Sequence, residues 1–125
     1  MKSVRLCLAV VFAALVFASL VWAHHSPSAI FDMSKKVTVS GTLTKVDWIN
    51  PHIVVLVDSW RLESNPPSWF KTVGVTRADI AKGIGQMVTL EANPAKDGTS
   101  YGYMRKITFA DGRSYELVNA AEADK

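Results

Sequence analysis

The chain has one cysteine, Cys7, and it lies inside the apolar run near the start. With that run removed no thiol is left, so neither a disulfide framework nor a cysteine-bound structural zinc site is open to the remainder. A surplus of one charge is also lacking. Two of the 14 basic residues, Lys2 and Arg5, go with the leader, leaving 12 against 11 acidic ones and no basic run or stripe. The basic isoelectric point rests on that small surplus and argues for no nucleic-acid partner. Catalytic constellations are missing too. Ser26 beside His25 is a neighbour in sequence and not a triad, and no carboxylate pair stands out from the scattered Asp and Glu. Gly83-Ile84-Gly85 follows a predicted helix, where helix termination accounts for it better than phosphate binding. The expectation is a non-enzymatic protein without repeats or low-complexity segments.

What is present begins with the leader. Lys2 and Arg5 precede an uncharged stretch from Leu6 to Trp22 that closes on Val21-Trp22-Ala23. A positive start, an apolar centre and small residues at the cut make a secretory signal peptide over 1–23, with cleavage after Ala23 and an exported, periplasmic or secreted product. The run is about as long as the shortest membrane-spanning helices, roughly 17 residues, but its Ala-rich end favours cleavage. No second run of that kind follows, so no membrane span is expected after processing. Removing 23 residues from 125 leaves 102, the size of one ordinary domain.

The remainder is predicted as an N-terminal segment over 24–36, a β-barrel domain over 37–118 and a frayed tail over 119–125. Val37–Trp48 is rich in β-branched residues, and its inward face switches between Leu43 and Val46, which predicts a bulged, bent first strand. Asn50-Pro51 marks a turn. Ile53–Val57 is apolar on both faces and is predicted to continue through Trp60 and Leu62. Trp69–Val75 is predicted as a short strand. Thr76–Gly83 reads as the one helix, with Thr76 as its cap, Asp79 at the favourable third position and Gly83 at its end. Met87–Ala92 is a further strand, and Tyr103–Phe109 and Ser114–Val118 form a hairpin about Asp111-Gly112. The order of a long bent strand, two more strands, a helix and further strands predicts a mainly β protein, a small OB-like Greek-key barrel of five to six strands.

The histidines are His24, His25 and His52. Cleavage after Ala23 makes His24 the first residue, whose α-amine and imidazole Nδ1 close a chelate ring on a metal. A second imidazole completes an all-nitrogen set suited to Cu(II), which heads the divalent affinity order and favours tetragonal nitrogen ligands. His52, on the loop between the first two strands, is the candidate second imidazole, with His25 as a further donor and Asp32 or water in a remaining position. A structural reading stands beside this one: a solvated mature end, and a turn histidine that hydrogen-bonds a carbonyl while its ring packs on Trp48. The aromatic residues offer another binding mode, a groove involving Trp48, Trp69 and Phe70 that takes a small ligand or a partner without metal. A copper-dependent oxidative enzyme would share the histidine ligands.

"HHSPSAIFD" after the leader, "VTVSGTLTKVDWINPH", "GVTRADIAKG" and "NPAKDG" resemble a family of small exported bacterial proteins of unknown function. Its members typically begin with His-His-Ser-Phe-Ala, continue to Phe-Asp and carry a Trp-x-Asn-Pro-His turn. The matching positions are His24, His25, Phe31, Asp32, Trp48, Asn50, Pro51 and His52. This chain has Pro27 and Ser28 in place of the family's Phe-Ala, and Val75 where the family often has Trp. The resemblance implies an exported single-domain protein and supplies no activity.

Overall fold

The computed structural model of the protein describes Met1, Val4 and residues 26–118. Apart from Met1 and Val4, the predicted leader therefore lies outside the described residues, as do His24, His25 and the predicted tail.

Strand β1 (Val37–Asp47) carries its β-branched residues on a bent path. It pairs antiparallel with β2 (Val54–Val57), with a register shift between Leu43 and Lys45, where the change of inward face predicts a bulge. Thr44 is the extra residue, and its hydroxyl donates to the Leu56 carbonyl at 3.2 Å. The expected single strand from Ile53 to Leu62 is instead a hairpin. The turn Asp58-Ser59 separates β2 from β3 (Trp60–Glu63), with Asp58 at a left-handed φ of 48°. An Asp tolerates that conformation, so the turn interrupts an otherwise continuous apolar pattern. The Asp58 carboxylate accepts from the Thr42 amide at 3.2 Å and occupies the space where a side chain at position 41 would stand, which is why Gly41 interrupts β1.

Two short helices follow, α2 (Pro67–Thr72) and α3 (Arg77–Ala81); α1 (Pro27–Ile30) precedes β1. The strand expected over Trp69–Val75 is therefore corrected to α2. Pro67 sits at a first-turn helical position, where its missing N–H costs nothing. β3 pairs with β2 and β5, which leaves no ladder on either side of it for a following strand to join. In α3 the predicted cap is present as a full capping box: Thr76 Oγ1 accepts from the Asp79 amide at 3.2 Å, and Asp79 Oδ2 accepts from the Thr76 amide at 2.8 Å. Gly83 has a role other than the expected one. Phe109 packs so closely that a Cβ at Gly83 would overlap its ring, and the left-handed position after the helix is taken by Gly85, at φ 83°.

Strands β4 (Met87–Pro94), β5 (Tyr101–Phe109) and β6 (Ser114–Glu116) complete a sheet of order β3-β2-β1-β4-β5-β6. A parallel pairing of β3 with β5 closes the first five strands into a barrel, with α2 and α3 between β3 and β4. This is the OB arrangement. β6 is an extra strand across the Asp111-Gly112 turn, and it ends at Glu116 rather than Val118. A second bulge, between Glu91 and Ala92, faces Arg105, whose side chain is buried and donates to Asn93 Oδ1 at 3.0 Å.

The core falls into two clusters. The larger fills the barrel with Val39, Leu43, Val55, Leu62, Phe70, Leu90 and Ile107 among others; Trp48, Trp60 and Trp69 pack against it from partly buried positions. The smaller consists of Phe31, Ala95 and Tyr103, flanked by Met33, Tyr101 and Val118.

Candidate functional site

The smaller cluster ties the segment after His25 to the barrel. Phe31, 1 % exposed, bridges to Ala95 and sets its ring edge-on to Tyr101 (4.9 Å between centroids) and beside Tyr103 (5.7 Å). Backbone contacts reinforce the docking: Asp32 N donates to Pro94 O at 2.8 Å, and Lys96 Nζ donates to Ser28 O at 2.6 Å.

Tyr101 and Tyr103 alternate along β5, so both lean toward the same side, against the end of β3. The Tyr101 hydroxyl donates to Glu63 Oε2, and the Tyr103 hydroxyl donates to Asn65 Oδ1 at 2.8 Å. Asn65 Nδ2 in turn donates to Leu117 O at 3.0 Å. Burial, followed by the neighbouring Glu63 carboxylate, holds the Tyr101 hydroxyl above its usual pKa and keeps it a donor.

Glu63 links this network to His52. Its Oε1 lies 3.6 Å from His52 Nδ1, and the Ser64 carbonyl oxygen lies 3.0 Å from the same nitrogen. Both neighbours are acceptors, so in the neutral ring the proton belongs on Nδ1 and the lone pair on Nε2. The side chain is 34 % exposed, against 15 % for Glu63. The buried Ser64 hydroxyl beside this pair has no hydrogen-bond partner among the described residues.

Asp32 is occupied differently from the sequence expectation. Its Oδ1 accepts from the Ser34 amide at 3.1 Å and the Ser34 hydroxyl at 2.6 Å, and its Oδ2 pairs with Lys35 Nζ at 3.2 Å. The Ser34 hydroxyl, then Lys35, hold its carboxyl below the usual carboxylate range. It closes a turn with both oxygens engaged. Among the described residues no group of three or more His, Cys, Asp or Glu could hold a metal, and His24 and His25 lie outside those residues.

The aromatic trio is brought together, but not as one open wall. Phe70 is 1 % exposed, with Trp48 edge-on at 5.1 Å and Trp69 at 5.2 Å on ring centroids. Phe70 is thus the buried centre, and only the two tryptophans reach the surface. An open depression of about 380 Å³ lies beside Trp48, lined also by Pro67, Ser68, Lys71, Val75, Thr76 and Arg77. Trp69 and Phe70 do not line it.

Glu63, Asn65, Lys71 and Arg77 are the residues that reading the sequence missed, along with the hydrogen-bonding role of Tyr101. The Tyr-x-Tyr spacing was the available signal for the first group, since it puts two hydroxyls on one side of a strand.

Fold and site together define an OB-type barrel with an N-terminal arm docked by an aromatic residue near a histidine-bearing loop. The chain belongs to the family described as "Family of unknown function (DUF6152)", whose model matches residues 12–105. No curated protein and no solved structure matches it.

Proposed function

We propose that this is an exported, periplasmic metal-binding protein, with a copper-class ion held by the His24 α-amine and imidazole, His52 and His25. The observation that carries this reading is the orientation of His52. A ring whose Nδ1 faces a carbonyl and a carboxylate presents Nε2 as a ligand, the arrangement by which outer groups hold metal-binding histidines.

The route from the arm supports it. Phe31 packs on Tyr101, Tyr101 donates to Glu63, and Glu63 faces His52, so the chain just after His24 and His25 is docked one side chain away from the His52 network. The family match takes in most of the apolar run and all three histidines. An all-nitrogen set with no thiolate suits Cu(II) better than a closed zinc site. Affinity falls as pH drops, because the imidazoles and the α-amine must lose protons to bind.

Intact-mass analysis of the exported protein, purified without an N-terminal tag and titrated with Cu(II) and Zn(II) under native conditions, tests the proposal. The expected result is a chain starting at His24 that holds one Cu(II) tightly and loses it in His24→Ala and in His52→Ala. A different start, or no metal beyond what a generic His-containing peptide retains, overturns it. Equal binding by a variant with one extra N-terminal residue rules out the amine.

A further inference from the structure

The depression beside Trp48 is separate from the histidine loop's hydrogen-bond network and calls for a different ligand. Its apolar surface comes from Trp48, Pro67 and Val75, and its charged residues are Lys71 and Arg77; no carboxylate lines it. Both cations are exposed, and neither has an ion-pair partner among the described residues. Asp79, the nearest acid in sequence to Arg77, has its carboxylate turned into the Thr76 cap at 2.7–2.8 Å. The floor is rigid. Trp48 is held edge-on by the fully buried Phe70, and Thr76 is pinned by the capping box.

We propose that this depression binds a small amphiphilic anion, with its apolar body on Trp48, Pro67 and Val75 and its anionic head at Lys71 and Arg77. A volume of about 380 Å³ stands near the lower end of the roughly 300–1,000 Å³ typical of ligand pockets, which fits a ring system or a medium acyl chain. Two cations fall short of the four to eight, roughly, that read an anionic membrane surface, and the surface is concave, so a soluble ligand is favoured over a bilayer. The site uses none of the histidines and stands or falls apart from the metal proposal.

The test is titration of the exported full-length product with 8-anilinonaphthalene-1-sulfonate, followed by competition with decanoate and with decanol. The expected result is saturable one-to-one binding, displaced by decanoate at concentrations at least about tenfold below decanol, because a charge-assisted contact distinguishes the two heads. The double charge reversal Lys71→Glu with Arg77→Glu weakens the probe by at least about tenfold, whereas Lys36→Glu, at the opposite end of β1, leaves it unchanged. Near-UV circular dichroism of each variant separates loss of the site from loss of the fold, and both reversed positions are exposed, so the fold is retained. Equal competition by decanol, an unaffected double reversal, or binding only to anionic phosphatidylglycerol vesicles overturns the proposal. So does the lack of saturable binding at millimolar probe.

Discussion

Two aromatic clusters, one joined to the main core and one against the N-terminal arm, are built on opposite principles. Around Phe31 the rings are tied to polar partners: Tyr101 to Glu63, Tyr103 to Asn65, and Glu63 onward to His52. Around Phe70 the rings meet one another edge-on, and two cations without an ion-pair partner among the described residues stand at the neighbouring surface. The first fixes directions, because hydrogen bonds hold donors and acceptors to particular angles. The second supplies apolar area with little direction. A metal ligand needs the former and an amphiphile the latter, so one small barrel can carry both without either site borrowing the other's residues.

The sharpest way to break this comparison is to remove each central ring. Phe70 and Phe31 are equally buried, at 1 % exposure, but Phe70 lies in the main core and Phe31 anchors an arm. Phe70→Ala should lower the unfolding free energy by about 3–5 kcal/mol, the usual cost of truncating a buried aromatic. Phe31→Ala should release residues 26–35 to proteolysis and, on the metal reading, cut copper affinity, while costing the barrel less than Phe70→Ala does. Urea unfolding and limited proteolysis of both variants decide it. Equal global losses would mean that the arm is part of the cooperative barrel and not a docked appendage.

Glu63→Gln is the next largest effect expected. It keeps the shape and removes the charge that faces His52 Nδ1, which on the metal reading lowers Cu(II) affinity by roughly 10–100-fold. Amphiphile binding should not move. A Cu(II) affinity unchanged by Glu63→Gln would leave the Ser64 carbonyl as the sole orienting group for His52.

The bulge in β1, the capping box and the Asp-Gly hairpin were legible because each is signalled by residues close together in sequence. Leu43, Val46, Thr76, Asp79, Asp111 and Gly112 state their roles within a few positions of one another. The OB topology followed from element order, although two elements were misread: the β2–β3 hairpin reads in sequence as one strand, and Trp69 and Phe70, which favour strands by propensity, are sent into a helix by Pro67 and closed neighbouring ladders. The turn at Asp58 was hidden inside an apolar run, since a left-handed Asp leaves no periodic mark. For the candidate sites, His52 stood out by rarity alone. Glu63 and Tyr101 are 38 positions apart and meet only through the parallel β3–β5 pairing that closes the barrel. Lys71 and Arg77 likewise come together across the bend between two helices that were read as a strand and a single helix. Contacts made by closure are invisible to local patterns.

The smallest effect expected lies at the rim of the apolar site, and it separates the cap's hydrogen bonds from its charge. Thr76→Ala removes a side-chain acceptor from the start of α3 and should cost about 1 kcal/mol. Asp79 contributes through its ionised form: hydrogen bonds from the Thr76 hydroxyl, then the Thr76 amide, hold its pKa below 3.8. A carboxyl whose folded pKa is depressed stabilises fully above its unfolded value and loses that contribution as pH falls through the folded one. The difference in melting temperature between the wild type and Asp79→Asn should therefore be flat from about pH 7 to about pH 5 and narrow only in the acid range beneath 3.8. Calorimetry across that range checks it. A difference that persists unchanged into strong acid would show that the Asp79 carboxyl acts through shape rather than charge, and that the pinning of Thr76 in the depression does not depend on ionisation.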